Sequence, residues 1–178
     1  WICGPCVIEK QPLMAMTAER LKKLSEKLRV PVIFKSSYSK DNRSDVLFAA
    51  LHGDPATEYP YSLGHAAERG AAAGLGFNDN LPLPPGTAWP AYAEALADAC
   101  GKLAAFAPDA MVVSLGVDTF ENDPISCFKL KSDDYLRMGE QIATLACPTL
   151  FVMEDGYAVD AIGVNAVNVL TGFEAGRG

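Results

Sequence analysis

With 178 residues, 15 Lys and Arg against 22 Asp and Glu and a formal net charge of -7, the chain has the length of one α/β domain with a real core. It carries no basic run to meet a phosphate backbone, no apolar run of the ~18 residues a membrane span needs, and no basic region leading into an apolar stretch at its start. A cytoplasmic protein with neither nucleic acid nor membrane as partner is the expectation.

In chain order, apolar runs of strand length alternate with segments of helical period, which predicts parallel βαβ construction. Strands are predicted at residues 2–8, 30–35, 46–51, 110–115 and 149–153, and their near-continuous Val, Ile, Leu and Phe predicts burial on both faces. Helices are predicted at 13–28, 89–106, 132–145 and 159–170, with Ser132 as an N-cap and Asp133 and Asp134 in the first turn that follows it. Pro31 and Pro148 end helices and begin strands. Residues 53–90, rich in Gly, Ala, Asn and Pro, read as one long loop, either a functional rim or lid or a surface excursion.

Five cysteines, Cys3, Cys6, Cys100, Cys127 and Cys147, are odd in number and scattered, which suits a reducing compartment better than a disulfide framework. Cys3 and Cys6 form a C-x-x-C around Gly4-Pro5, but no second pair follows to build a zinc knuckle, and the rest of a thioredoxin-like signature is missing. The first residue is Trp1 rather than Met, so the chain is expected to begin inside a longer reading frame.

Polar residues gather at the strand ends: Glu9, the stretch 35–44, His52-Gly53-Asp54, Asp118, and Glu154 through Tyr157. Ligands of open α/β sheets sit outside the carboxyl ends of the strands, so these residues mark one candidate rim. Asp118, directly past an apolar strand and followed by Asp123-Pro124 in a turn, can be a metal ligand, a general base or a cap. Tyr157, after Asp155-Gly156, can donate a hydrogen bond to a developing oxyanion or pack beneath its loop.

The strings LHGDPATEYPYSLGHA, NLPLPPGT, VVSLGVDTFENDPISCFKL and LFVMEDGYAVDAIGVNAVNVLTGFE, within residues 46–178, resemble acetylpolyamine amidohydrolases, bacterial relatives of histone deacetylases. That resemblance implies a three-layer α/β fold of the arginase and deacetylase kind with a mainly parallel sheet, here in part. It implies zinc as cofactor and an acetylated polyamine or acetyllysine-like amine as small-molecule partner, and it leaves room for a homo-oligomer. Asp118 matches the second aspartate ligand of the zinc, and Tyr157 matches the tyrosine that polarises the acetyl carbonyl. The metal would activate water and polarise the amide.

Two departures stand out. The family usually has Gly-Gly-Tyr where this chain has Asp155-Gly156-Tyr157, and an Asp at the first position would have to accept whatever backbone the glycine provides. The family also needs an Asp-x-His pair and a His-His dyad, whereas the two histidines here, His52 and His65, stand in neither. A lone Asp118 cannot hold a catalytic zinc, since such sites use three protein ligands.

Residues 2–44 instead resemble the first βαβ of 3-deoxy-manno-octulosonate-8-phosphate synthase, a TIM barrel condensing phosphoenolpyruvate with arabinose 5-phosphate. The resemblance matches Cys6 to a metal-binding cysteine, and Lys35, Lys40, Asn42, Arg43 and Ser44 to residues that meet phosphate and sugar. Lys10 and Asp41 depart from its pattern. The expected organisation is therefore a synthase-like, TIM-barrel-like βαβ fragment at 1–45 and a deacetylase-like half at 46–178, joined as a fusion, a misassembled frame or a chimera. The functional expectation is a zinc-dependent amidohydrolase fragment without activity by itself, with a synthase-like fragment or a non-catalytic α/β domain as the other readings. If the deacetylase reading holds, Asp118 and Tyr157 share one cleft within roughly 10 Å, since adjacent strands lie about 4.8 Å apart. Residues 53–86 should border that cleft, and His52 should lie near it without completing a metal site.

Overall fold

A computed structural model describes residues 46–59 and 61–178, together with Ile2, Cys3, Met16, Glu19, Lys22, Lys23, Glu26, Lys27, Ile33 and Phe34. The chain divides into two compact units, Trp1–Lys40 and Asp41–Gly178. In the first, β1 (Ile2–Cys3) pairs in parallel with β2 (Ile33–Phe34), and the described residues between 16 and 27 are helical. Among the described residues these two strands form their own two-stranded sheet.

In the second unit the order is β3 (Phe48–Gly53), a 3₁₀ turn at Ala72–Gly74, β4 (Asn78–Leu83), α1 (Trp89–Phe106), β5 (Met111–Leu115), α2 (Ser132–Ala143), β6 (Thr149–Met153) and α3 (Val159–Ala175). β3 pairs in parallel with β4, and β5 with β6. The β5–β6 pair, joined through α2, is the βαβ unit that alternating strand and helix patterns require, while β3 and β4 are joined by a loop with the 3₁₀ turn.

The stretch 53–90, expected as a loop, contains β4. Its sequence NDNLPL is poor in β-formers and holds a proline, which is why the pattern hid it. What stabilises it is satisfaction of its polar side chains. Asp79 is buried and accepts from Arg69 Nη1 at 2.8 Å and Lys102 Nζ at 2.7 Å, and Lys102 also reaches Asp98 at 2.7 Å. Asn78 donates to the Glu68 carbonyl at 2.6 Å, and Asn80 to that of His65 at 3.2 Å. A buried carboxylate held by two cations thus ties the segment before β4 to α1.

Three further expectations need correction. β3 starts at Phe48 rather than residue 46 and runs on to Gly53. Ser132 is the first helical residue, not the cap: Lys131 is extended, and its N–H donates to Asp134 Oδ2 at 2.8 Å, closing the turn from inside the helix. The strands are also not buried on both faces, because Val112 and Leu150, register partners on one face of β5–β6, are 65% and 48% exposed. Only the other face meets the core.

That core gathers Tyr135, Leu130, Val117, Val169, Met138 and Phe173, with Phe151 edge-on to Phe173 at 5.0 Å. Helices α2 and α3 approach closely because Gly139 lies against the Val169 carbonyl and Gly172 against that of Leu136. A β-carbon at either place would strike backbone. None of the described helices is long and apolar enough to cross a membrane.

The helix contact yields a pair of opposite expectations. Gly139→Ala should destabilise the chain by on the order of 3 kcal/mol, the upper part of overpacking penalties. Gly163→Ala, also helical but with nothing within 4 Å of the added carbon, should stabilise it by up to ~1 kcal/mol. Urea unfolding of both variants checks the signs, and equal effects would mean that the helices do not touch at Gly139.

Candidate functional site

The β5–β6 ladder does not stop at the strand ends. Glu154 N–H donates to the Leu115 carbonyl at 2.9 Å and Val117 N–H to the Asp155 carbonyl at 2.7 Å, so the two loops leave the sheet still bonded to one another. Asp118 is one residue beyond this last rung and Tyr157 two residues beyond it.

Asp118 sits in a turn, 14 residues ahead of Ser132 where α2 starts, so it caps no helix. Its place is fixed from below by Tyr135, a fully buried α2 residue whose hydroxyl donates to the Val117 carbonyl at 3.0 Å and pairs with Thr119 Oγ1 at 2.9 Å. The residues on both sides of Asp118 are therefore held by one phenol. The Asp118 carboxyl titrates above the usual carboxylate range, first because it is largely buried, then because Asp155 and Asp123 face it, with its own backbone amide pulling the other way. Among the described residues the charges acting on it are those of Asp155 and Asp123. Tyr92 is buried in the same field, its phenol pushed up by burial and then by Asp118.

Tyr157 is half exposed rather than packed beneath its loop. Its hydroxyl donates to Asp155 Oδ1 at 2.8 Å, and this bond, then the charges of Asp155, Asp118 and Asp123, hold the phenol above its ordinary range. Gly156 has φ 154°, and a side chain there would meet Val117 Cγ2 at 2.6 Å, so the residue before Tyr157 must be small. Asp155 is not among the positive-φ residues, so its place before Gly156 asks for no backbone that only glycine adopts readily.

Asp123 was legible in the sequence only as a turn residue. Its buried carboxylate accepts from the Tyr157 N–H at 2.6 Å and the Ala158 N–H at 2.9 Å through Oδ2, and from Ile125 N–H at 3.2 Å through Oδ1. Neither this role nor that of Tyr135 has a signature in spacing, since each depends on a partner 18 to 35 residues away.

Part of the 53–86 segment borders the same rim. Glu58 hydrogen-bonds Cys127, whose thiol is pushed up to about 11 by burial, then by Glu58, with Asp118 a smaller contributor, and Gly86 N–H donates to the Cys127 carbonyl at 2.6 Å. His52 lies beneath Gly64, with Nδ1 2.9 Å from the Gly53 carbonyl and Nε2 buried without a partner. His65 is exposed. Cys6, Lys35, Lys40, Asn42, Arg43 and Ser44 lie outside the described residues.

These donors do not make a zinc site by themselves. Among the described residues no three His, Cys, Asp or Glu side chains converge as metal ligands. Asp123 spends its oxygens on backbone amides and Asp155 spends Oδ1 on the phenol, which leaves Asp118.

The chain belongs to the histone deacetylase domain family, whose pattern matches residues 33–173. Within it the chain is similar to acetylpolyamine amidohydrolase 1 of Pseudomonas aeruginosa, at 64% identity over 132 residues, 74% of this chain and 38% of that relative. It also superimposes on the acetylpolyamine aminohydrolase of Burkholderia pseudomallei with a TM-score of 0.75 at 34% identity, over 99% of this chain and 45% of that one. The fold is that of this group, as the resemblance implied. A short segment of 45 residues, 25% of the chain, is 53% identical to the 2-dehydro-3-deoxyphosphooctonate aldolase of Nitrosococcus oceani and covers 16% of it. The family match starts at residue 33, ahead of the expected boundary at 46. The chain spans about two fifths of the length of its amidohydrolase relatives.

The phenol's bond to Asp155 generates a pH expectation. Donation to a carboxylate favours the protonated phenol, so Asp155→Asn should bring the titration of Tyr157 down toward the ordinary tyrosine range. Carbon-13 NMR of labelled tyrosine across alkaline pH reads the shift, and an unchanged midpoint would mean that the bond does not form in solution.

Proposed function

We propose that the deacetylase-like half, residues 46–178, is the part of a zinc-dependent amidohydrolase that supplies one metal ligand, Asp118, and the oxyanion donor, Tyr157, for removing acetyl groups from acetylated polyamines or acetyllysine-like amines. The observation that carries the reading is that Asp118 and Tyr157 stand on adjoining strand ends, joined by Val117 N–H on the Asp155 carbonyl at 2.7 Å, in one field with Asp155 and Asp123. The like charges of Asp155 and Asp123 acting on Asp118 favour a positive group beside it, whether a metal ion or an amine.

Zinc, where a full ligand set holds it, supplies a polarised carbonyl and an activated water. This chain has one of the family's ligands and two histidines outside its motifs, so by itself it is inactive. Tyr157 would donate its proton to the acyl oxygen as charge develops there, with that oxygen replacing Asp155 as acceptor. The hydrogen bond to Asp155 favours the protonated phenol, the form that can donate. Tyr59 and Tyr61, exposed on the loop that carries Glu58, offer ring faces to an alkylammonium chain, and the net charge of -7 attracts one.

The purified chain should release no acetate from acetylated polyamines or acetyllysine substrates in a zinc-dependent way. Grafted in place of the matching stretch of the P. aeruginosa relative, residues 46–178 should give turnover that chelation abolishes. Asp118→Ala and Tyr157→Phe in the graft should each lower kcat at least ~100-fold, the scale of losing one oxyanion donor or more. A folded graft that keeps its rate with either substitution would overturn the assignment.

A further inference from the structure

We propose that Asp123 is the positioning residue for Tyr157: its carboxylate clamps the loop after β5 to the start of α3 and sets the backbone from which the phenol projects. The side chain is 6% exposed and its contacts leave it little choice of role. Oδ2 accepts from two consecutive amides, Tyr157 and Ala158, which lie 34 and 35 residues further along, while Oδ1 accepts from Ile125 within its own turn. The turn is itself closed by Asp123 N–H on the Phe120 carbonyl at 3.0 Å and Ser126 N–H on the Asp123 carbonyl at 3.1 Å. The carboxylate is thus fixed before it meets the second loop.

Nothing local could do this work. Ala158, the N-cap of α3, makes no side-chain cap bond, and Gly156 at φ 154° places little restraint on the direction of the chain. Charge-assisted bonds to the amides at a helix start are the strong kind, and the dipole of a 17-residue helix favours the negative charge. Removing the carboxylate leaves two part-buried amides without their acceptor, so the loop carrying Tyr157 is expected to reorient toward water. Asp160, in the first turn of α3 and exposed, also faces the dipole but touches neither amide, which makes it the control.

Positioning stands on geometry alone; its consequence for catalysis rests on the reading of Tyr157 given above. The test uses the 178-residue chain, labelled with nitrogen-15 and with carbon-13 in its tyrosines, as parent, Asp123→Asn, Asp123→Ala and Asp160→Asn. Amide hydrogen exchange at Tyr157 and Ala158 should accelerate at least tenfold in both Asp123 variants and the Tyr157 ring signal should move. Amides of β5 and α2 and the ring signal of Tyr135 should stay as in the parent, and Asp160→Asn should change none of these. The near-isosteric Asn variant decides the matter if the Ala variant does not fold. A protected Tyr157 amide with an unmoved ring signal in Asp123→Asn would overturn the proposal, as would uniform acceleration across the chain, the mark of a general stabiliser. In the graft, Asp123→Asn should lower kcat with KM unchanged. Full activity of the Tyr157→Phe graft would remove the reacting role of Tyr157 and leave the exchange result standing.

Discussion

The pairing of β5 with β6 continues past both strands, from Met111 N–H on the Pro148 carbonyl to Val117 N–H on the Asp155 carbonyl, and the candidate site depends on that register. Two parallel strands that end together deliver their loops to the same rim, and a slip of one residue would turn Leu115 out of the core. The loops are then fixed from two directions. Tyr135 holds the residues flanking Asp118 from the core side, and Asp123 holds the amides of Tyr157 and Ala158 across the rim. The rigidity of the site is thus made of a buried phenol and a buried carboxylate, each with its polar atoms satisfied.

Electrostatics at this rim runs against what stability alone would select. Burial and then the charges of Asp155 and Asp123 raise Asp118, the hydrogen bond to Asp155 and then the acidic charges raise the Tyr157 phenol, and the amides of Tyr157 and Ala158 ahead of α3 donate to Asp123. Elsewhere the chain pairs its buried charge: Asp79 has both Arg69 and Lys102. Asp79 in β4, held by two cations, thus differs from Asp118 at the β5–β6 rim, which burial and its acidic neighbours raise, a perturbation of the kind found at functional sites.

What could be read from the sequence follows from where the forces are local. α1 occupies the predicted 89–106 and β6 the predicted 149–153, because apolar period and the prolines before them act within a few residues. β4 was invisible because its stability comes from Arg69, Lys102 and the loop carbonyls, not from its own composition. The rim positions of Asp118 and Tyr157 could be placed by strand ends alone, but their family roles needed the resemblance. The clamp by Asp123 and the support from Tyr135 needed coordinates. The continuous apolar pattern of β5 and β6 is that of strands covered on both sides, yet Val112 and Leu150 are open, so the composition is suited to more packing than the described residues provide.

The central claim is that this chain holds one ligand and the phenol of a deacetylase site without holding its metal. Equilibrium dialysis against micromolar zinc, comparing the parent with Asp118→Ala, tests it most directly. The expected result is no stoichiometric binding that depends on Asp118. One zinc bound per chain at micromolar concentration, and lost in Asp118→Ala, would contradict the account, since it would require two further ligands converging on Asp118.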